Sequence, residues 1–252
     1  MCYDVNYIYK QQLKRAKYHD DKKAIEEISD TIEEHFPKQV YYVSGFSHPD
    51  MIIYTQDDPY MPKLSNWGLV PFWCKEAGQA DKLRNMCLNA VGETMFEKPS
   101  FRAAAKSKRG IVYLNGFYEH HHQGKKTYPH FIYNRNNEPL PVGILYDEWA
   151  DIDTGELQHT FAIVTAPANN MMSKIHNTKK RMPLILPDDL VEDWLKPIND
   201  KVDKELIQEI VKPYPDGILS AHTIGRIKGK NAIGNIELVT NPVKYKELDL
   251  VL

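Results

Sequence analysis

The chain has 252 residues, a formal net charge of −2, and a composition that is 42% hydrophobic and 26% charged, ordinary values for a globular protein in water. No apolar run approaches the roughly 18 residues that a bilayer span requires, and Met1-Cys2-Tyr3-Asp4-Val5 lacks the basic region, apolar stretch and small-residue cleavage site of a secretory signal. A cytoplasmic protein without a membrane partner is therefore expected, and a pI near 6.6 excludes nucleic-acid binding by bulk charge and leaves only a local patch.

From Lys10 to about Phe36 the sequence is dense in Lys, Glu and Asp, with Ile25, Ile28 and Ile32 spaced three and four apart. That spacing predicts one or two amphipathic surface helices with a narrow buried stripe. Between Gln39 and Tyr54, apolar and aromatic residues flank the turn signal Ser47-His48-Pro49-Asp50, which predicts two strands.

Further strand-like runs are Gly110 to Phe117, Tyr128 to Tyr133, Leu140 to Trp149 and Phe161 to Thr165, some joined by turn formers such as Asn-Arg-Asn-Asn and Asp-Thr-Gly. They are expected to follow one another as hairpins, not as βαβ units. Helices are predicted at about Asn169 to Ile175, where an Asn can cap the start, at Asp188 to Leu195, bounded by Pro187 and Pro197, and at Asp203 to Lys212. No Gly/Ser linker, repeat or low-complexity tract divides the chain, so the expected fold is a single mixed α+β domain over residues 1–252, mainly antiparallel.

Three cysteines, Cys2, Cys74 and Cys87, form no C-x-x-C spacing and suit reduced thiols better than a disulfide framework or a zinc site. Cys2 is the most informative of them. Removal of the initiator Met would leave an amine and a thiol on adjacent carbons. An α-amine titrates near pH 8, well below a lysine, so an appreciable fraction is neutral and can attack an aldehyde to give a Schiff base. The thiol can then add to the imine carbon and close a five-membered thiazolidine, a route denied to a cysteine whose nitrogen is an amide.

Four further segments accompany Cys2 in order along the chain: Asn66-Trp67-Gly68-Leu69-Val70-Pro71-Phe72-Trp73, Leu88-Asn89-Ala90-Val91-Gly92-Glu93-Thr94, Asn115-Gly116-Phe117-Tyr118-Glu119-His120, and Ile175-His176 followed by Arg181-Met182-Pro183-Leu184-Ile185-Leu186. Together they resemble the SOS response-associated peptidase family, from Cys2 to the Val239-Thr240-Asn241 region. The resemblance implies a barrel-like β core with peripheral helices. It also implies an activity without a cofactor or metal: a monomer that crosslinks covalently to the ring-opened aldehyde of an abasic site in single-stranded DNA, at the nucleoid when bound.

On this resemblance Cys2 is the crosslinking residue, Glu119 the acid/base carboxylate and His176 the histidine that assists Schiff-base formation or reversal. Asn89 is the amide that holds the amine or the opened sugar. Arg181 would contact DNA, with Lys179 and Lys180 adding charge for phosphates, while Trp67, Pro71, Phe72 and Trp73 offer apolar surface for bases to stack on.

The chain departs from the family pattern in four places. Cys2-Tyr3-Asp4 replaces the common Cys-Gly-Arg, and Asn89-Ala90-Val91-Gly92-Glu93 lacks a second arginine, for which Arg84, Arg102 or Lys106 could substitute. Asn177 to Lys180 lengthen the loop between His176 and Arg181. His120, His121 and His122 follow Glu119 and, with His130, raise a metal site as an alternative, against which adjacent strand residues point to opposite faces. The rival functions are a thiol peptidase acting in trans, a single-strand binding module without crosslinking, and a metal-dependent hydrolase.

Overall fold

The computed structural model describes residues 2–7, 13–19, 21–35, 40–152, 154–248 and 250. Lys10, Phe36 and Gln39, which bound two of the expected segments, lie outside them. The acidic and basic stretch near the N-terminus forms α1 (Leu13–Tyr18) and α2 (Lys22–His35). In α2, Ala24 and Ile28 are fully buried and Ile25 and Ile32 partly so, which is the narrow stripe that the three-and-four spacing predicts.

Two sheets carry the architecture. One is open and runs in the order β12 (Leu219–Thr223), β8 (Lys126–Asn134), β7 (Gly116–Gln123), β1 (Asp4–Tyr7) and β2 (Val40–Ser44). In the other, β4 (Pro62–Trp67), β3 (Asp50–Thr55), β6 (Arg109–Leu114), β9 (Leu140–Ala150) and β10 (Leu157–Pro167) pair in succession, and β10 returns to β4. The ring closes into a barrel and leaves those strands no free edge. The short strands β5 (Asn89–Val91) and β11 (Arg181–Pro183) add to β10.

The expected α+β class with a mainly antiparallel, barrel-like β core is what forms. Some details differ from the sequence reading. β7–β8 and β9–β10 are hairpins as expected, and β3–β4 is a further one whose second strand the sequence reading does not contain, but β8 and β9 lie in different sheets, and β10 pairs in parallel with β4 and with β5, the first of these pairings closing the barrel. The run Gly110 to Phe117 is two strands: β6 ends in the barrel at Leu114 and β7 begins in the open sheet at Gly116. A Cβ at Gly116 would collide with the carbonyl oxygen of Ile132 and the ring of Phe131, so the crossing requires glycine there.

Side-chain alternation along the barrel strands divides the core. Ile52, Tyr54, Ile111, Leu145 and Val164 face α2, α4 (Arg102–Ser107), α6 (Val191–Leu195) and α7 (Lys201–Ile210). Their strand neighbours Met51, Ile53, Val112, Ile144 and Ile163 join Val5, Tyr7, Phe117 and Ile132 of the open sheet. Successive strand residues point to opposite faces, so one set of strands serves both layers. The second cluster also holds Cys2, Met172 and Ile175, and it forms the seam between barrel and sheet in which the candidate site lies. No helix among the described residues is long and apolar enough to cross a membrane.

Candidate active site

Cys2 lies at the entrance to β1, a strand hydrogen-bonded on both sides, to β2 and to β7. The register Asp4↔Tyr118 carries the chain back from Asp4 toward Glu119 on the neighbouring strand. Cys2 is 2% exposed. Burial raises its thiol pKa well above the usual range, and the Glu119 charge adds to the rise.

Alternation along β7 puts Glu119 on the face of Phe117, toward the seam, and Tyr118 and His120 on the other. Facing Glu119 is α5 (Asn170–Ile175), which begins as its sequence predicts: Asn169 accepts from the Met172 N–H at 2.9 Å and donates to the Tyr214 carbonyl at 3.0 Å. The helix ends at His176. Its Nδ1 lies 3.0 Å from the Arg181 carbonyl oxygen, which can only accept, so Nδ1 carries the proton. The same nitrogen is 3.5 Å from Glu119 Oε2.

Neither partner titrates in its usual range. Burial lifts the Glu119 carboxyl to about 7, against a counteracting hydrogen bond from the His120 N–H. Burial also lowers His176 to about 4, partly offset by its bond to the Arg181 carbonyl. At neutral pH the imidazole is therefore neutral, and the carboxyl is the group poised to gain and lose a proton.

Three contacts fix this geometry that the sequence reading did not anticipate. The lengthened loop after His176 carries Asn177, whose amide accepts from the His122 N–H at 3.0 Å and donates to the His122 carbonyl at 2.8 Å, tying the loop to β7. His121 Nδ1 bonds the Lys174 carbonyl at 2.7 Å and ties α5 to the same strand. On the opposite face of the sheet, Asp4 accepts from the Tyr42 hydroxyl at 2.8 Å and pairs with Lys228 Nζ at 2.6 Å. In the sequence Asp4 stands out only as a departure from the family pattern, and its spacing contains no signal that joins it to Lys228.

Asn89, at the start of β5, is 6% exposed, and neither of its amide atoms has a hydrogen-bond partner among the described residues. Its register partner Ile163 and chain neighbour Leu88 belong to the same apolar cluster as Cys2. A buried amide with both polar atoms unpartnered is uncommon in a folded chain, although single buried hydroxyls without partners also occur in the barrel at Thr55 and Ser65.

The residues expected to meet DNA separate into two groups. Trp67 is fully buried; its indole N–H donates to the Leu88 carbonyl at 2.8 Å and its ring stacks on Phe161, so it offers no surface for a base. Pro71 is buried as well. Phe72 and Trp73 are exposed and, with Pro99 and Arg102, line a shallow recess of about 360 Å³. Arg181 forms a two-pronged ion pair with Glu93 and also donates to the Thr165 carbonyl at 2.6 Å. That guanidinium ties β10, β11 and the turn after β5 together, whereas Lys179 and Lys180 project from the loop.

Among the described residues, no three His, Cys, Asp or Glu side chains converge to hold a metal ion. His130 faces Glu119 across the strands, but burial lowers its pKa to about 4 and its Nδ1 is bonded to the Tyr128 carbonyl at 2.9 Å.

Residues 5–230 match the family model described as SOS response associated peptidase (SRAP). The abasic site processing protein YoqW of Bacillus subtilis is 32% identical over 174 residues, which is 69% of this chain and 73% of that protein. YoaM of the same organism, also named an abasic site processing protein, is 31% identical over 82% of this chain and 89% of its own. A crystal structure of a protein from Bacteroides thetaiotaomicron superposes with a TM-score of 0.83 at 32% identity, covering 96% of this chain and 100% of that one. One from Bordetella bronchiseptica, at 21% identity and a TM-score of 0.68, shares the fold.

Proposed function

Because the chain belongs to the SOS response-associated peptidase family, we propose that it processes abasic sites in DNA, and that it does so by a covalent crosslink from Cys2 to the ring-opened sugar in a single strand. The observation that carries this reading is the buried Glu119–His176 pair beside Cys2, with a carboxyl near 7 and a neutral imidazole.

Once the residue before Cys2 has been removed, its neutral α-amine attacks the C1′ aldehyde to give a carbinolamine. Glu119 in its protonated form donates to the departing hydroxyl, water leaves, and an imine remains. The Cys2 S–H then adds across the C=N bond: sulfur bonds to C1′, the thiol proton passes to the nitrogen, and a thiazolidine closes with no net oxidation or reduction. His176, fixed by the Arg181 carbonyl and close to Glu119, returns protons to the carboxyl and orients it. The amide of Asn89 is available to hold the amine or a sugar hydroxyl.

A thiol peptidase acting in trans is the weaker reading. Cysteine peptidases attack as thiolates and lower the thiol pKa with a positive neighbour, whereas burial and Glu119 both raise that of Cys2. A thiol that stays protonated until an imine forms beside it fits the crosslink. Without ring closure, the imine alone would permit β-elimination, a lyase outcome.

The test is a denaturing gel of the purified protein with a single-stranded oligonucleotide that carries one abasic site, the N-terminus having been established by mass spectrometry. A shifted band that requires both the lesion and Cys2 is the expected result. No band from protein that begins at Cys2 would overturn the proposal.

A further inference from the structure

A cleft of about 370 Å³ opens at the end of the β7–β8 hairpin against the segment 226–247. Lys125, Lys126, Arg226 and Lys228 supply its charge, and Glu247 is the only carboxylate among the described residues that line it. Glu247 pairs with Lys126 at 3.2 Å. Lys228 is tethered to Asp4, and no carboxylate among the described residues pairs with Lys125 or Arg226. In a chain of net charge −2, this is a local excess of positive charge with a concave shape, which attracts an anion far better than the overall charge would.

The wall of the cleft is aromatic. Tyr245 packs edge-to-face on buried Tyr128, with ring centroids 5.2 Å apart, and its hydroxyl donates to the Ile224 carbonyl at 2.8 Å. Its ring is thus held in place along a cleft of the size that takes a small organic ligand. The cleft is also tied to the site described above. His120, which lines it, follows Glu119 directly, and Lys228 is fixed to Asp4, two residues along β1 from Cys2.

We propose that the cleft is a subsite for a nucleotide flanking the abasic site, with Lys125, Arg226 and Lys228 on its phosphodiester and Tyr245 against its base. The subsite rests on the reading that a DNA strand approaches Cys2. Cations on a groove that follows the backbone, joined to an aromatic platform, are the recurring means of holding single strands without regard to sequence. Asp4 takes part by holding Lys228 in place at the wall of the cleft.

The test uses an intact single-stranded oligonucleotide without a lesion, so its outcome does not depend on crosslinking. Fluorescence anisotropy compares the wild type, the double variant Lys125→Glu/Arg226→Glu, and Lys201→Glu on α7 as a remote control of charge. The double variant is expected to bind about tenfold more weakly near 0.1 M salt, with a log–log salt slope shallower by about 1.4, as the loss of two phosphate contacts on a single strand requires. Lys201→Glu is expected to stay within about twofold of wild type, because its side chain is 87% exposed on α7, which packs on the barrel and contributes nothing to the lining of the cleft.

Unchanged affinity and slope in the double variant would overturn the subsite even if Cys2 crosslinks abasic DNA. Weakened binding would support it even if the wild type forms no crosslink, in which case the Cys2 chemistry alone falls. Complete displacement of the strand by low-millimolar inorganic phosphate at constant ionic strength would assign the cleft to a small free anion and overturn it as a nucleotide site.

Discussion

The barrel and the seam beside it bury polar side chains on different terms. In the barrel, fully buried Arg109 donates to the carbonyls of Trp194 at 2.9 Å, Ala105 at 2.7 Å, Lys106 at 3.0 Å and Lys196, while its guanidinium lies over the Trp194 ring. Asp147 there accepts from Lys108 at 2.7 Å and from the N–H groups of Phe72 and Glu148, each at 2.9 Å. In the seam, Glu119 and His176 both titrate outside their usual ranges, and Asn89 has no partner among the described residues. Arg109 and Asp147 are held by their hydrogen bonds even though burial lowers the Arg109 pKa to about 10, whereas the seam places a carboxyl raised to about 7 beside Cys2, an arrangement suited to proton transfer.

Substitutions on the two sides of this comparison should separate activity from stability. The largest effect is expected from Cys2→Ala, which should abolish the covalent adduct on a denaturing gel. The same variant should retain a cooperative melt, because it exchanges one small buried side chain for another. A lesion-dependent band that persists in Cys2→Ala would remove the seam from the mechanism.

Glu119→Gln should slow adduct formation by about a hundredfold or more, the usual contribution of a positioned acid/base group. It should also change the pH profile. The amine must be neutral, which favours pH above about 8, and Glu119 must be protonated, which favours pH below about 7. The wild-type rate should therefore peak between these values, and the variant should lose the fall on the alkaline side. The same shift bears on stability. A carboxyl raised in the folded state from its usual 4.5 to about 7 favours the protonated fold. The stability it contributes is fully present below 4.5 and is lost as pH rises through 7. The melting temperature of Glu119→Gln should accordingly gain on wild type between pH 5 and pH 8, and a constant difference would contradict the buried carboxyl.

Arg109→Leu tests the other side. It leaves carbonyl oxygens buried without donors and should cost about 3 kcal/mol in urea unfolding, with the crosslinking rate of the remaining folded protein unchanged. Smallest in stability is Asn89→Ala, which has no hydrogen bond within the described residues to lose. It should shift the urea midpoint by less than Arg109→Leu while slowing the crosslink. A large loss of stability would show that Asn89 is architectural after all.

Local physics makes much of this protein legible in its sequence. Isoleucine spacing, the Asn169 cap and the hairpin turns each depend on residues a few positions apart. The chemistry of an N-terminal amine and thiol singles out Cys2, whereas Asn89, Glu119 and His176 stand out only through the resemblance of their ordered segments to the family. The parallel return of β10 to β4 was not legible, since Phe161 pairs with Trp67 across a long stretch of chain and no local period encodes it. That closure decides which face of each strand is buried and commits Trp67 to the core, although its sequence suits a stacking surface equally well. It was likewise tertiary structure that gave Arg181 to Glu93, Asp4 to Lys228 and a raised carboxyl to Glu119. Ion pairing and desolvation depend on which groups are brought together in space, and only the closed barrel with the sheet packed on it determines that.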